Sequence, residues 1–195
     1  MKIILIALAL ITNAPFSRFT ETRVLQTPAA STQRPVQITA RYNKKKDITR
    51  LFLQPLFLWG NLTPRQYEDV RLYVGFECRG KKIARPKEVL FSFSSSSENF
   101  VSFPSLDFSV SIDGALLELG KLKGRQRNKI DPVDFSRTIY EDESTAISYE
   151  YFTRIATANE VTIIIGKRKF DLPSEDIRLL REFHKLMQRE GQEIK

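Results

Sequence analysis

YEYFTRIATANEVTIIIGKRKFDLPSEDIRLLREFHKLM, residues 149–187, is the stretch on which the fold turns. Phe152, Ile155 and Ala156 recur at the i, i+3, i+4 spacing that gathers side chains on one face, so a short helix is expected over residues 149–158, ended by Asn159-Glu160. Val161 to Ile165 is β-branched throughout and reads as a strand. Gly166-Lys167-Arg168-Lys169 turns the chain, and Phe170 and Leu172 return with strand alternation. Pro173-Ser174-Glu175-Asp176 then starts a helix, with Ser174 expected to cap free amides and the two acids placed at the positive end of the dipole. Up to Gln188, Ile177, Leu179, Leu180, Phe183, Leu186 and Met187 fill one half of the helical wheel, while Arg178, Arg181, Glu182, Lys185 and Arg189 fill the other. An apolar half of that size needs a mate, and the strands upstream supply one.

Those strands show the two-residue period of a sheet with one apolar face. Val36, Ile38, Ala40 and Tyr42 alternate with Gln37, Thr39 and Arg41. After a basic turn, Asn43 to Asp47, a second strand runs from Ile48 to Leu53, and Pro55 requires an edge position or a break before Leu56 to Trp59. The clearest alternation is Leu72, Val74, Phe76 and Cys78, continued by Val89, Phe91 and Phe93, then by Leu106, Phe108, Val110 and Ile112. Asp113-Gly114 is a hairpin signal that returns Ala115 to Leu119 alongside. Three polar stretches lie between: Ser94 to Asn99, expected as a flexible serine-rich loop; Gly120 to Lys129, a basic run expected as a loop; and Glu141-Asp142-Glu143, expected as a solvated acidic loop before a strand from Thr145 to Tyr149.

Strands of this kind call for an antiparallel sheet buried on one side. The expected class is α+β, mainly β: a two-layer antiparallel β-sandwich or curled sheet, with the short helix (149–158) and the C-terminal amphipathic helix (174–188) packed on it. Asp113-Gly114, Leu117, Leu119, Gly120, Phe152, Ile155-Ala156, Ala158, Val161, Ile163, Ile165-Gly166, Phe170, Leu172, Leu180-Arg181 and Phe183 together resemble secreted bacterial β-rich domains of unknown function. The resemblance covers the second half of the chain and implies export and fold, without an activity or a site.

Met1-Lys2 followed by the apolar run Ile3 to Ile11 has the layout of a secretory signal, too short for the ~20 residues of a membrane-spanning helix. Residues 1–14 are therefore expected to be a signal peptide, residues 15–34 a flexible linker rich in Thr, Ser, Pro and Gln, and residues 35–195 one β-rich domain in a periplasmic or extracellular location. Mass spectrometry of the native protein is expected to find the leading segment removed; an intact Met1 on cytosolic material would refute export.

A chain of 195 residues, 42% hydrophobic, is long enough for a self-supporting core. Its single cysteine, Cys78, excludes an internal disulfide, and its single histidine, His184, leaves no His/Cys set with zinc-ligand spacing, so neither metal nor cofactor is expected. Cys78 shares the apolar face of its strand and reads as a small buried hydrophobe; His184 sits in the apolar arc of the last helix and reads as an imidazole satisfied by one hydrogen bond. No phosphate-binding loop, dinucleotide fingerprint, nucleophile elbow or HExxH helix occurs. Asn61-Leu62-Thr63 fits the glycosylation acceptor pattern, and an Asn and a Thr starting a turn explain it equally.

The formal charge of +8 favours anionic surroundings, and nucleic acid is not expected because no nucleic-acid motif accompanies it. If the strands run simply up and down, the turns at Asn43–Asp47, Arg79–Lys87 and Asp113-Gly114 fall at one end. Lys44, Lys45, Lys46, Lys81, Lys82, Arg85 and Lys87 then form an anion-attracting rim, with Lys121, Lys123, Arg125, Arg127 and Lys129 at the opposite end as a second candidate contact. The expected function is that of a non-catalytic envelope or extracellular domain contacting an acidic polymer, an anionic lipid surface or a partner protein. The alternative is a hydrolase whose carboxylates are assembled by the fold. Converging buried carboxylates in a pocket favour the hydrolase, and a basic or aromatic face favours binding.

Overall fold

The computed structural model describes residues 21–26, 37–63, 66–98, 100–133, 136–189 and 191; the expected signal peptide and most of the expected linker lie outside the described residues. In chain order the elements are β1 (Glu21–Gln26), β2 (Gln37–Asn43), β3 (Ile48–Leu53), β4 (Leu56–Thr63), β5 (Gln66–Arg79), β6 (Glu88–Glu98), β7 (Asp107–Ile112), β8 (Ala115–Lys121), β9 (Lys123–Ile130), β10 (Arg137–Ser148), α1 (Tyr149–Thr157), β11 (Val161–Ile165), β12 (Arg168–Asp171) and α2 (Ser174–Met187). They form two antiparallel sheets. The larger runs β1-β2-β3-β5-β6-β10-β9, with β4 also pairing β5, and the smaller runs β12-β11-β7-β8. The protein is thus mainly β, with two helices, as the alternation and the closing stretch imply. Among the described residues no helix is long and apolar enough to cross a membrane.

One face of the large sheet is covered in two parts. The helices form one part, α2 lying against β3 and α1 against β6 and β10, and the small sheet forms the other, with β12 against β4 and Phe108 of β7 against Phe91 and Phe93 of β6. A run of rings joins these layers: Phe76 of β5 to Phe183 of α2 (5.6 Å between centroids), Phe183 to Phe152 of α1 (6.4 Å), Phe152 to Phe91 of β6 (6.3 Å) and Phe91 to Phe108 of β7 (6.2 Å). Phe93 continues it to Phe108 at 5.4 Å and to Phe103 at 6.4 Å. Separations of this size allow edge-to-face packing, so the aromatic residues give the core both area and geometry.

Several polar segments take a form other than the expected one. Within the stretch read as linker, Glu21–Gln26 adds to the edge of β2, with Glu21 opposite Tyr42. Ser94 to Asn99 is not a loop as far as Glu98: β6 continues through it, with Ser95 and Ser97 turned inward and buried. Gly120 to Lys129 is likewise not a loop, because Lys123–Ile130 pairs with β10 as β9. Asn61 to Thr63 ends β4 rather than starting a turn. Ser174 makes no side-chain cap: Pro173 holds the cap position, and its carbonyl accepts from Asp176 N at 2.9 Å and Ile177 N at 3.1 Å. At α1 the side chain of Ser148 does cap, accepting from Tyr151 N at 3.2 Å.

Candidate functional site

The turn after β2 and the connection after β5 meet because β3 begins where β5 ends, with Ile48 opposite Arg79. Gly80, at φ 75°, bends the chain out of β5, a backbone setting that favours glycine. Its N–H donates to the carbonyl of Asp47 at 2.8 Å, and its carbonyl accepts from Thr49 Oγ1 at 2.6 Å. Within the turn, Asn43 Oδ1 accepts from the amides of Lys45 and Lys46 at 3.1 and 3.2 Å, and Tyr42 donates its hydroxyl to Asp47 at 2.9 Å. The amides are thereby satisfied internally and the lysine side chains point out. Lys44, Lys45, Lys46, Lys81, Lys82, Arg85 and Lys87 are all exposed on these two joined loops. Two of them rest on rings: Lys81 Nζ lies 5.1 Å from the Tyr42 centroid, and the Arg85 guanidinium lies 4.6 Å from that of Tyr149. The Asp113-Gly114 turn, expected beside them, belongs instead to the small sheet, where the Asp113 carboxylate accepts from the amides of Asn159 and Glu160 at 2.9 and 2.8 Å.

Next to this rim the outer face of the large sheet hollows into a groove of about 680 Å³. Phe52, Leu90 and Ala146 form its floor, on one cross-strand row that passes through Gly75. A Cβ on Gly75 would lie 2.4 Å from Phe52 Cδ1, so the missing side chain is what lets the ring lie over β5. Arg79, Arg85 and Lys87 supply a cationic wall, Arg50 and Glu77 pair with each other, and Glu88 is the remaining acid.

Compared with protein-family models, curated proteins and solved structures, the chain matches none. The chemistry of the site rests on the side chains themselves.

The second basic cluster differs from expectation in kind and in place. Lys123, Arg125, Arg127 and Lys129 stand along β9, the last strand of the large sheet among the described residues, opposite Ser144, Asp142, Tyr140 and Thr138. Arg127 pairs with Asp142 at 2.7 Å, and Lys121, in β8, with Asp107 at 3.4 Å. A charged edge strand is a device that blocks edge-to-edge pairing with another chain, which accounts for this run without a ligand.

The nucleophile and base candidates are engaged structurally. Cys78 is buried, donates to the carbonyl of Lys82 at 3.4 Å, and has its pKa raised, chiefly by burial, so the thiol form is favoured. Thr153 donates its one hydroxyl proton to the carbonyl of Tyr149 at 2.9 Å, leaving Nε2 of His184, 3.2 Å away, as the donor to Thr153 Oγ1. Burial first, and Arg85 second, lower the His184 pKa. His184 is thus a neutral imidazole joining α1 to α2, as its place on the apolar arc implies.

The acidic triplet is not a solvated loop. It lies in β10, where Glu141 and Glu143 take inward positions and are buried. Glu141 accepts from Ser95 Oγ at 2.9 Å, Ser102 N at 2.6 Å and Phe103 N at 3.2 Å, stapling the β6–β7 connection onto the sheet. Glu143 lies over Gly124, where a Cβ would stand 2.4 Å from its Oε2, an oxygen without a hydrogen-bond partner among the described residues. Burial, then Glu141 and Asp142, raise its pKa. Because the folded carboxyl holds its proton to higher pH than the unfolded one, this group costs stability as pH rises above the ordinary glutamate value of about 4.3. Glu143→Gln is therefore expected to raise the neutral-pH melting temperature and flatten its decline with pH. A variant that melts lower at pH 7 would contradict this.

Proposed function

We propose that the chain is an exported, non-catalytic envelope or extracellular domain that contacts an anionic, phosphate-bearing component through the rim at Lys44–Lys46 and Lys81–Lys87. The observation that carries this reading is the hydrogen bond from Gly80 to Asp47, which joins two lysine-rich loops into one exposed patch beside a groove with a cationic wall. Exposed charges act over only about 8 Å at physiological salt, so cations reinforce one another when held on bonded loops and not when scattered. Of the buried glutamates a hydrolase could use, Glu141 is held by three donors and Glu68 by Arg168, while Glu143 lies against Gly124 of β9 and lines neither the groove nor the cleft beside Trp59.

A contact of this kind is weak and salt-sensitive. Each lysine near an anionic bilayer contributes about 1 kcal/mol, so replacing Lys44, Lys45 and Lys46 together by Gln is expected to weaken binding to phosphatidylglycerol vesicles by roughly a hundredfold at low salt. Added salt should do the same to the unaltered protein. A parallel titration with soluble polyphosphate separates a lipid surface from a free phosphate polymer. Salt-independent binding, or binding to neither probe, would refute the proposal.

A further inference from the structure

Trp59 is the only tryptophan in the chain, and 49% of it is exposed. Its direction comes from an irregularity in β4. Phe57 stands opposite Arg71, on the outer face of the large sheet, but the register shifts before the next pair and Trp59 stands opposite Val70. Val70 is completely buried on the core side. The extra residue, Leu58, therefore swings Trp59 from the outer to the inner side of the sheet, the re-aiming that a β-bulge performs. There it stays half exposed beside β12 and forms one wall of a cleft of about 480 Å³, within the ~300–1,000 Å³ usual for small-molecule sites.

The rest of the cleft is polar at its base and apolar at its sides. Arg168, at the start of β12, forms a two-pronged ion pair with Glu68, with Nη2 at 3.1 Å from Oε2, and donates to the carbonyl of Ser102 at 3.1 Å. Glu68 is 5% exposed and the Arg168 side chain 27%, so the two charges cancel where they are partly withdrawn from water. Ser102 lines the same cleft, and its hydroxyl is buried without a hydrogen-bond partner among the described residues. An unmet buried hydroxyl is uncommon in native proteins and calls for an explanation. Phe100, Val101 and Pro104 complete the sides.

We propose that this cleft binds one ring of a neutral carbohydrate. A half-exposed indole presents a flat face to the C–H side of a sugar ring. A guanidinium has five N–H donors, and Arg168 makes three of these hydrogen bonds within the cleft, which leaves donors for ring hydroxyls beside the hydroxyl of Ser102. The self-neutralised ion pair gives no preference for a charged ligand, in contrast to the lysine rim, on which this site does not depend.

Trp59 is its own reporter. The full chain is titrated with uncharged hexasaccharides of glucose, N-acetylglucosamine, mannose and xylose while tryptophan emission is followed. A saturable change with at least one of them, unaffected by salt, is expected. Calorimetry with that sugar should show binding weakened at least roughly tenfold in Trp59→Ala, whose retained fold is checked by a cooperative melt, and weakened to a smaller extent in Ser102→Ala. No saturable change with any of the four, undiminished binding by Trp59→Ala, or displacement of the sugar by salt would overturn the proposal. So would saturation by a proline-rich peptide in place of every sugar.

Discussion

Replacing Phe183 by alanine is expected to destabilise the domain by about 3–5 kcal/mol, because a completely buried ring leaves both lost burial and a cavity behind. Phe183 stands between Phe76 and Phe152, so its loss interrupts the run of rings where α2 meets both the large sheet and α1. Against a total stability of about 5–15 kcal/mol for an ordinary domain, that is a large share. Denaturant melts should show a lower midpoint with an unchanged slope. A shift below about 1 kcal/mol would mean that the apolar face of α2 is not held against the sheet, and a partner-binding role for that helix would then gain ground.

Glu141→Ala should cost a comparable amount, about 3–5 kcal/mol, for a different reason. It leaves the hydroxyl of Ser95 and the amides of Ser102 and Phe103 buried without their acceptor, each at roughly 1–3 kcal/mol before the connection relaxes. Glu141→Gln keeps the shape but turns an NH2 group toward donors, so it should fall between the parent and the alanine variant. Amide hydrogen exchange separates local from global effects: Ser102 and Phe103 should lose protection first. If those two amides stay protected in the alanine variant, the staple assigned to Glu141 is wrong.

Much of the fold is legible in the sequence where apolar residues mark the period. Ile38 and Ala40, Val74 and Phe76, Phe108 and Val110, and the arc from Ile177 to Met187 all bury the side their spacing indicates. Reading fails where inward positions are polar. In β6 the alternation of Val89, Phe91 and Phe93 passes into Ser95 and Ser97 without a change of direction, and in β10 Glu141 and Glu143 hold the same inward slots as Ile139 and Ile147. Hydrophobicity drops at these positions although the period does not, so continuity of the period was the available signal. β9 lacks even that, since its strand state comes from pairing with β10. At the site, the turn residues and their charges were readable, and the meeting of two loops followed from an up-and-down path. The groove over Gly75 and the turning of Trp59 were not, because each depends on which residue lies across the neighbouring strand.

Strand β5 shares one edge between two partners, β4 beside its first half and β3 beside its last residues. From Glu68 to Arg79 it extends over about 37 Å at most, given the ~3.4 Å rise of an antiparallel strand. One proposed site lies near each end of that rod, several screening lengths apart at physiological salt. The two sites should therefore behave as separate grips. Losses from Lys44–Lys46 and from Trp59 should multiply in affinity without interaction, as expected for positions more than about 10 Å apart with no shared partner. On a surface displaying anionic groups and sugars at that spacing, two weak contacts on one rigid span would hold far longer than either alone.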